Sequence, residues 1–263
     1  MYKKLMKTMT LAVAASAVVL AAGCGDRSAQ SSTGKQKITV AVEASYAPFE
    51  YKDEHQHIIG FDVDLMKAVA EKMNAEPEFH NMPFDDIFPA VGEKKINLGI
   101  SAIGKTERRS QYVSFSDPYY SLGSYVIITR PSSDIHGVED LKGKKVVVEK
   151  GTTNEDKAQT VGASKIVTSD SYEVVFRTVE KGQADAAIVD EPGAKYYLEH
   201  KGGQLIMAGN IPTDEQFVII MAKDDKKMQQ KVNAALKQVM DDGTYDKLSQ
   251  KWFFHKAKEE QRQ

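Results

Sequence analysis

The chain has 263 residues, of which 35 are basic and 37 acidic, so its formal net charge is −2. A surface so close to neutral argues against a nucleic-acid partner, which would require a clustered basic face. The length suits one large domain or two modest ones. The histidines form no clustered pattern, so neither a metal site nor another cofactor is predicted. They are His55, His57, His80, His136, His200 and His255.

Residues 1–23 have the features of a secretory signal peptide. Lys3, Lys4 and Lys7 give a positive start, and residues 11–22 form an uncharged run of small and apolar side chains. This run is too short to cross roughly 30 Å of hydrocarbon as a helix. A basic start, a short apolar core and small residues before a cleavage point are typical of a signal peptide. The alternative is a short membrane anchor.

The only cysteine of the chain, Cys24, directly follows this segment. The sequence LAAGC (20–24) resembles the lipobox of bacterial lipoproteins, although its leucine lies one residue further from the cysteine than usual. A lone cysteine cannot form an internal disulfide, and the alternative is an incidental thiol. The resemblance implies that Cys24 is acylated and anchors the exported protein to the outer face of the cell membrane. The polar residues that follow predict a flexible tether over 24–36.

The chain after the tether alternates between strand-like and helix-like segments. Ile38, Val40 and Val42 alternate with period two, which predicts a strand, and a second short strand is predicted at residues 98–100. Residues 87–94 form one helical stretch between them. An earlier amphipathic helix is predicted from a spacing of four in Phe61, Leu65, Val69 and Met73. Strand, helix and strand in this order predict parallel β-α-β units in a sheet covered on both faces.

The same alternation returns in the second half of the chain. Strands are predicted at residues 145–148 and 186–189, and helices at 174–180, 226–240 and 244–252, while residues 217–221 form another apolar run. Two α/β modules followed by closing helices suggest that the chain returns to the first lobe. Open α/β sheets bind ligands at the carboxyl ends of their strands. The site is therefore expected in the loops after Val42, Ile100, Val148 and Val189.

Motifs in these loops resemble, in their order, those of the polar amino-acid-binding proteins of bacterial ABC importers, the family 3 extracellular solute-binding proteins. Each motif is weak alone, and together they extend over roughly residues 37–255. They are EASYAPFE (43–50), GFDVDL (60–65), SAIGKTERR (101–109), SFSDPYY (114–120), GTT (151–153), ADAA (184–187) with Asp190, and DGTY (242–245). The first motif is most similar to the arginine-binding branch.

This resemblance implies an α/β fold of two lobes, similar to the periplasmic binding proteins, with the ligand in the cleft between them. The first lobe would comprise residues 37–121 and 220–255, and the second lobe residues 122–219. Two crossings near Ser121 and Val218 would form the hinge. Residues 256–263 would be a C-terminal tail.

The resemblance also implies which residues hold the backbone groups of a free amino acid. Arg109 would bind the α-carboxylate, since a guanidinium offers two parallel donors. Asp190 would accept the α-ammonium. By composition alone, Arg109 could be a surface arginine and Asp190 a cap of the following turn. Further contacts would come from Ser101, Thr152, Thr153, Ala102 and Gly104. The last two depart from the hydroxyl-bearing residues of many relatives, and Gly104 can contribute only a backbone N–H.

The side-chain pocket is expected from Glu43, Tyr46, Phe49 and Phe84, with Asp85 or Asp86 nearby in sequence. Aromatic walls ending in an acid suit a long cationic side chain, because a guanidinium stacks on aromatic rings and pairs with a carboxylate. Core packing is the alternative for both phenylalanines. The interpretation is therefore an arginine-binding protein, with lysine and histidine as weaker ligands.

The predicted partners are the free amino acid and the membrane permease and ATPase complex of an importer. Three alternatives remain at this stage. Glutamine or another polar amino acid could be the ligand, because an acid at position 43 also serves neutral ligands. A cyclohexadienyl or arogenate dehydratase could use the same fold, since fold does not decide function. A ligand-sensing receptor ectodomain would need a separate signalling partner.

Overall fold

The computed structural model describes residues 34–200 and 204–254 of the chain. The predicted signal peptide (1–23), Cys24, nearly all of the predicted tether (24–36) and the predicted tail (256–263) lie outside these described residues. The described residues from Lys35 onward belong to one compact unit. Among the described helices, none is both long and apolar enough to cross a membrane.

The described part of the chain alternates between short strands and helices. The strands are β1 (Gln36–Val42), β2 (Ser45–Tyr46), β3 (Glu50–Lys52), β4 (Ile58–Ile59), β5 (Ala75–Asn81), β6 (Leu98–Gly99), β7 (Val113–Phe115), β8 (Tyr120–Ser121), β9 (Ser124–Thr129), β10 (Lys145–Glu149), β11 (Lys165–Ser169), β12 (Ala186–Asp190), β13 (Ile206–Pro212), β14 (Gln216–Phe217) and β15 (Ile220–Ala222). The helices are α1 (Phe61–Lys72), α2 (Phe84–Gly92), α3 (Glu107–Ser110), α4 (Thr153–Thr160), α5 (Tyr172–Glu180), α6 (Glu191–His200), α7 (Lys226–Asp241) and α8 (Thr244–Phe253). A short 3-10 helix spans Val138–Leu141.

The first lobe contains a five-stranded sheet in the order β5-β1-β6-β15-β7. Residues of β1 alternate between its two faces, as the period of two predicts. Val40 and Val42 pack with α1 and α7, whereas Ala41 packs with α2. The helical side chains that cover the sheet are fully or almost fully buried and repeat at spacings of three or four. They are Phe61, Leu65 and Val69 of α1, Ile87 and Val91 of α2, and Val232, Leu236 and Val239 of α7.

The second lobe contains another five-stranded sheet, in the order β11-β10-β12-β9-β13. Every residue of β9 and of β12 is buried, which is the pattern of a strand covered on both faces. Helix α5 packs on this sheet through Val175, Phe176 and Val179. The ring of Phe176 stacks on Tyr197 of α6 with centroids 3.9 Å apart. Each lobe therefore has its own sheet with helices packed on it.

The prediction of parallel strands in the β-α-β units is confirmed. β1 is parallel to β5 and β6, and β10 is parallel to β11 and β12. The strands beside the crossings are antiparallel to their neighbours: β15 to β6 and β7, and β9 to β12 and β13. β9 and β15 each follow a connecting strand, β8 and β14, after only two residues, so they enter their sheets directly from the crossings and not through a helix.

The chain passes between the two sheets twice. β8 leads from the first sheet to β9, and β14 leads from β13 back to β15. The two connecting strands pair antiparallel, with Gln216 opposite Ser121 and Phe217 opposite Tyr120. They lie beside the predicted crossings near Ser121 and Val218. The predicted α/β fold of two lobes is confirmed, and motion about β8 and β14 stays a prediction.

A tight turn at Gly60 connects the small sheet β2-β3-β4 to α1. Gly60 has a φ of 139°, in the region that favours glycine, and a Cβ there would overlap the carbonyl oxygen of Phe49. Two residues later, Asp62 is fully buried beneath the loop that follows β6. Its Oδ2 accepts hydrogen bonds from the Ala102 N–H (2.8 Å) and the Tyr119 hydroxyl (2.6 Å). The turn thus positions a carboxylate that holds the loop beginning at Ser101.

Candidate ligand-binding cleft

The candidate site is a cavity between the two sheets, where parallel strands of both lobes reach their carboxyl ends. The volume of this cavity is about 20 Å³, close to the space that one water molecule requires. Of the residues predicted for the site, all except Phe49 line this cavity. The lining residues are Glu43, Tyr46, Glu50, Phe84, Ser101, Ala102, Gly104, Arg109, Glu149, Thr152, Thr153, Asn154, Tyr172 and Asp190.

Arg109 is buried at one end of the cavity. The one-turn helix α3 presents it, and Thr106 caps that helix by accepting a hydrogen bond from the Arg109 N–H (3.2 Å). The guanidinium donates to the carbonyl oxygens of Gly104 (2.6 Å) and Gly151 (3.0 Å), which belong to different lobes. Only 4% of the residue is exposed, so the alternative of a surface arginine is wrong.

The Arg109 guanidinium remains charged at neutral pH without a carboxylate partner. Burial lowers its pKa to about 10, which is still far above neutrality. Its Cζ lies 5.2 Å from the ring centroid of Phe84 and 4.8 Å from that of Phe88. Among the described residues, no acidic side chain forms an ion pair with it within 4.0 Å. A buried cation of this kind favours an anionic partner.

The loop after β6 lies next to Arg109 and is held in place by hydrogen bonds to neighbouring side chains and backbone. Ser101 Oγ donates to Glu50 Oε1 (2.8 Å) and accepts from the Glu43 N–H (3.0 Å). Ala102 has a φ of 43°, held by the bond of its N–H to Asp62. A Cβ on Gly104 would overlap the Glu215 carboxylate. The missing hydroxyl at position 104 therefore has a structural reason, because Glu215 takes its space.

Thr152 and Thr153 begin α4 on the second lobe. Thr152 Oγ1 donates to the backbone oxygen of Glu149 (2.7 Å). Thr153 Oγ1 lies 2.9 Å and 3.0 Å from the two carboxylate oxygens of Glu215, and the Tyr125 hydroxyl donates to the same carboxylate. Burial raises the pKa of Glu215. Glu215 precedes β14, and nothing in the sequence distinguished it from other loop acids.

Asp190 ends β12 on the wall formed by the second lobe. Its Oδ2 accepts a hydrogen bond from the Tyr46 hydroxyl (2.9 Å), which belongs to the first lobe. Its buried Oδ1 accepts no hydrogen bond from the described residues. Burial raises the pKa of Asp190 to about 7. One carboxylate oxygen is therefore free to accept a hydrogen bond from a group that enters the cavity.

Glu43 and Tyr46 follow β1 on the wall formed by the first lobe. Glu43 Oε2 accepts a hydrogen bond from Ser45 Oγ (2.8 Å), and burial raises the pKa of this carboxyl group to about 7. The Tyr46 ring packs on Tyr172 of α5, with centroids 4.3 Å apart. The Tyr172 N–H also donates to Ser45 Oγ across the cleft (3.2 Å). This side of the cavity combines an acid with two aromatic rings.

Phe49 is a core residue, and its prediction as a pocket wall is wrong. Its side chain is fully buried among five aromatic rings, with centroid distances between 5.1 and 6.0 Å. Phe49 lies in the turn between β2 and β3, next to Glu50, which does line the cavity. Of the five rings around Phe49, only that of Tyr46 lines the cavity, so Phe49 supports that wall from within the core. The five rings belong to Tyr46, Phe61, Tyr120, Phe217 and Phe253.

Phe84 lines the cavity as predicted, but Asp85 and Asp86 do not. Asp85 forms an ion pair with Lys150 of the second lobe (3.1 Å) at the rim of the cleft. Asp85, Asp86 and Lys150 line a separate depression at this rim. Phe84 itself packs on Arg109, so part of its ring supports the guanidinium.

Four further residues line the cavity that were absent from the predicted set: Glu50, Glu149, Asn154 and Tyr172. The rule that sites lie at strand ends could have identified Glu149, which is the last residue of β10. Glu50 lies within a motif that was recognised. Asn154 and Tyr172 lie in the first turns of α4 and α5, and only the packing of the two lobes brings them to the cavity.

With this geometry known, comparison with other proteins decides the family. The family model of bacterial extracellular solute-binding proteins, family 3, matches residues 38–255. The chain belongs to this family. Because the family is extracellular, the protein is exported from the cytoplasm.

Two relatives illustrate the similarity in sequence. The arginine-binding extracellular protein ArtP of Bacillus subtilis (strain 168) is 33% identical over 251 residues, covering 94% of this chain and 98% of the relative. ABC transporter arginine-binding protein 1 of Escherichia coli (strain K12) is 35% identical over 224 residues, covering 83% of this chain and 91% of the relative. Both relatives are named as binding proteins.

Solved structures share the two-lobed fold. An ancestral arginine-binding protein has been solved with arginine (TM-score 0.79, 35% identity, covering 83% and 99% of the two chains). It has also been solved with glutamine (TM-score 0.79, 36% identity, 83% and 98%). The ancestral amino acid-binding protein AncCDT-1, a precursor of cyclohexadienyl dehydratase, has a TM-score of 0.75 at 35% identity (82% and 95%).

Proposed function

We propose that this protein is the solute-binding component of an ABC importer and captures free arginine between its two lobes. The observation that carries the proposal is the arrangement of charge in the cleft. Arg109, a buried guanidinium that forms no ion pair within 4.0 Å among the described residues, lies in the same cavity as the carboxylates of Asp190 and Glu43. An amino acid with a cationic side chain presents one anion and two cations. Burial of these charges requires partners of opposite sign.

Each charged group of arginine has a candidate partner. The α-carboxylate would accept hydrogen bonds from the Arg109 guanidinium, and the α-ammonium would donate to the unpartnered Oδ1 of Asp190. The side-chain guanidinium would extend toward Glu43 beside the ring of Tyr46. The cavity of about 20 Å³ is smaller than an amino acid, so entry requires the lobes to separate. The α-ammonium would use Oδ1 of Asp190, while the Tyr46 hydroxyl bonds to Oδ2 of the same carboxylate (2.9 Å).

The relatives support the choice of arginine and of an importer as partner. Two of them are named for arginine binding, and one of these is named as part of an ABC transporter. A histidine-binding periplasmic protein of Escherichia coli is also 31% identical over 228 residues. We therefore propose arginine as the tightest ligand, with lysine and histidine bound more weakly. The closed form would be the one that the permease and ATPase complex recognises.

The proposal is tested by calorimetric titration of the purified protein with the common amino acids. Refolding from urea first removes amino acids that co-purify, and avoids guanidinium, which could compete for the cleft. Arginine is expected to bind most tightly. If glutamine bound as tightly as arginine, the proposal of a ligand with a cationic side chain would be contradicted. If no amino acid bound, the proposed function itself would be contradicted.

We also propose that acylated Cys24 anchors the protein to the outer face of the membrane. The support is the lipobox-like sequence that ends at this only cysteine. Mass spectrometry of the membrane fraction is expected to find a diacylglycerol-modified N-terminal cysteine. The Cys24→Ser variant should appear in the culture medium, and retention of that variant on the membrane would contradict the anchor.

Dehydratase activity is the alternative that the similarity to AncCDT-1 raises, and we propose binding without turnover. AncCDT-1 is itself described as an amino acid-binding protein. In the proposed complex, Glu43 and Asp190 are assigned to cations of an amino-acid ligand, and no group of the site is assigned as the general acid that elimination requires. Incubation with prephenate and arogenate should therefore give no phenylpyruvate or phenylalanine. Turnover of either compound would overturn this proposal.

A further inference from the structure

Glu149 is a buried acid of the cleft with an oxygen that has no partner. It is the last residue of β10, after three valines that are fully buried in the second lobe. Its side chain lines the cavity, and 6% of the residue is exposed. The Oε1 atom is buried and accepts no hydrogen bond from the described residues. A buried carboxylate oxygen without a hydrogen bond is energetically unfavourable, so a hydrogen bond from a bound molecule would stabilise it.

No cation of the described residues neutralises Glu149 through an ion pair within 4.0 Å. The adjacent Lys150 extends to the rim of the cleft and pairs there with Asp85 (3.1 Å). The ionisable acids that line the cavity are Glu43, Glu50, Glu149 and Asp190, and Arg109 is the only basic residue among its lining. Burial and the nearby Glu43 and Asp190 raise the pKa of Glu149 well above its ordinary value.

Glu50 differs from Glu149 because one of its carboxylate oxygens has a partner within its own lobe. Its Oε1 accepts a hydrogen bond from Ser101 Oγ (2.8 Å), whereas its buried Oε2 accepts none from the described residues. The pKa of Glu50 is raised well above the ordinary range by burial and by Asp62. Glu50 therefore belongs to the polar network beneath the loop that begins at Ser101. Glu149 has no such network and remains available to a ligand.

We infer that Glu149 determines specificity by holding, together with Glu43 of the other lobe, the cationic end of the ligand side chain. The inference rests on the proposed function, because it assigns a second acid to the same side-chain pocket. Asp190 serves the α-ammonium, which leaves Glu43 and Glu149 for the second cation. A guanidinium has five N–H donors and can pair with two carboxylates at once.

Because these two acids lie on different lobes, the charge of the ligand side chain would affect how readily the cleft closes. Without a cation between them, the acids of the closed cleft repel one another or hold protons. A cation that pairs with both acids stabilises the closed state relative to the open one, as differential affinity requires. A neutral ureido isostere would bring no positive charge and fewer N–H donors, and its carbonyl oxygen would face a buried acid. Sites built to hydrogen-bond a polar group reject analogues that lack it by roughly 10⁴- to 10⁵-fold, and a ureido group, which keeps some donors, should be rejected less strongly.

Citrulline provides the test, because it has the shape of arginine and an uncharged ureido group. Affinities for arginine and citrulline are measured by calorimetry for the purified wild-type protein and for Glu149→Gln. The wild-type protein should prefer arginine by at least about 100-fold, and Glu149→Gln should reduce this preference at least about tenfold. Glu139→Gln is the matched control, since it removes one exposed acid of the same lobe and should leave the preference unchanged.

The outcomes separate the inference from the proposed function. An unchanged preference for arginine in Glu149→Gln overturns the inference while arginine binding stands. Failure of the wild-type protein to bind arginine overturns the proposed function. Glutamine is isosteric with glutamate, and removal of a desolvated acid should preserve the melting temperature. If Glu149→Gln nevertheless fails to fold, Glu149→Met is measured in its place with the same two ligands.

Discussion

The contacts of Arg109 suit both a structural role and the ligand-binding role proposed for it. Its guanidinium donates to carbonyl oxygens of both lobes and stacks near two phenylalanine rings. These contacts fix its position, so in the proposed complex a ligand carboxylate would meet a donor that is already oriented. An amino group on a flexible stem has three donors but no planar fork, and it cannot reproduce this geometry.

Arg109→Lys should therefore weaken arginine binding about 100-fold, corresponding to about 3 kcal/mol for lost charge-assisted hydrogen bonds. Arg108→Lys is the matched control, because Arg108 is exposed and pairs at the rim with Asp156 (3.3 Å). That variant should stay within about twofold of the wild-type affinity, since exposed ion pairs contribute little. Calorimetry with arginine measures both variants. Equal losses in the two would contradict a specific role for Arg109.

The raised pKa values of the cleft acids predict that arginine binds more tightly as the pH rises from 5 to 8. Burial raises the pKa of Glu43 and of Asp190 to about 7, and that of Glu149 also rises. Below pH 7 Glu43 and Asp190 hold protons that a bound cation must displace, whereas Arg109 stays charged throughout this range. Above pH 8 the carboxylates of Glu43 and Asp190 are ionised, so their contribution to the pH dependence should level off.

Proton release measures this linkage directly. Titrations at pH 6.5 in two buffers of different ionisation enthalpy should show that protons leave the protein when arginine binds. Glu43→Gln should release fewer protons than the wild-type protein. Proton uptake, or an affinity independent of pH between 5 and 8, would contradict the assignment of these acids to the ligand cations.

The limits of sequence-based prediction are clearest at this scale. Arg109 and Asp190 were identified because their motifs resemble those of a family, although composition alone favoured a surface site for Arg109. Phe49 was misassigned because its place in a recognised motif does not tell which face of the chain it occupies. Tyr172 could not be found from any local pattern, since it reaches the cavity only through the packing of α5 against β2.

At the scale of elements, periodicity predicted the longer helices well and the short strands poorly. Helix α7 was expected at residues 226–240 and spans Lys226–Asp241, because its apolar positions repeat regularly. β2 and β4 have only two residues each, too few for any period to be visible. Their position depends instead on the turn at Gly60, which directs the chain into α1 and brings Asp62 beneath the loop that follows β6.

Gly60→Ala should lower the free energy of unfolding by at least about 2 kcal/mol, because the backbone there is strained for any residue with a Cβ. The added Cβ would also overlap the Phe49 carbonyl oxygen. Gly137→Ala is the control, since its φ is −175° and a Cβ there meets no atom within 4 Å. Urea denaturation measures both variants. A loss below about 0.5 kcal/mol for Gly60→Ala would contradict the role assigned to this turn.

At the scale of the whole molecule, the two lobes are joined by contacts that cross the cleft. Tyr46 bonds to Asp190, Arg109 bonds to Gly151, and Ser45 accepts from the Tyr172 N–H. The existence of two lobes could be inferred from the family resemblance. The tightness of their contact could not, because it depends on side-chain geometry at a surface that no single segment defines.

Arginine should therefore shift the protein toward a more compact form, which small-angle X-ray scattering would detect as a smaller radius of gyration. In Arg109→Ala, saturating arginine should produce less of this change, since one contact between ligand and protein and one bond across the cleft are lost. A radius of gyration that does not respond to arginine in the wild-type protein would contradict ligand-driven closure. A full response in Arg109→Ala would contradict the part assigned to this residue.

The small cavity of the closed cleft has a kinetic consequence. Because the closed cleft has space for little more than one water molecule, an amino acid would have to enter and leave while the lobes are apart. Dissociation then becomes a first-order process governed by the opening rate, and adding free competitor cannot accelerate it. The residence time of the bound amino acid would thus depend on contacts between the two lobes as well as on contacts between protein and ligand. An importer that separates the lobes would determine when the amino acid is released.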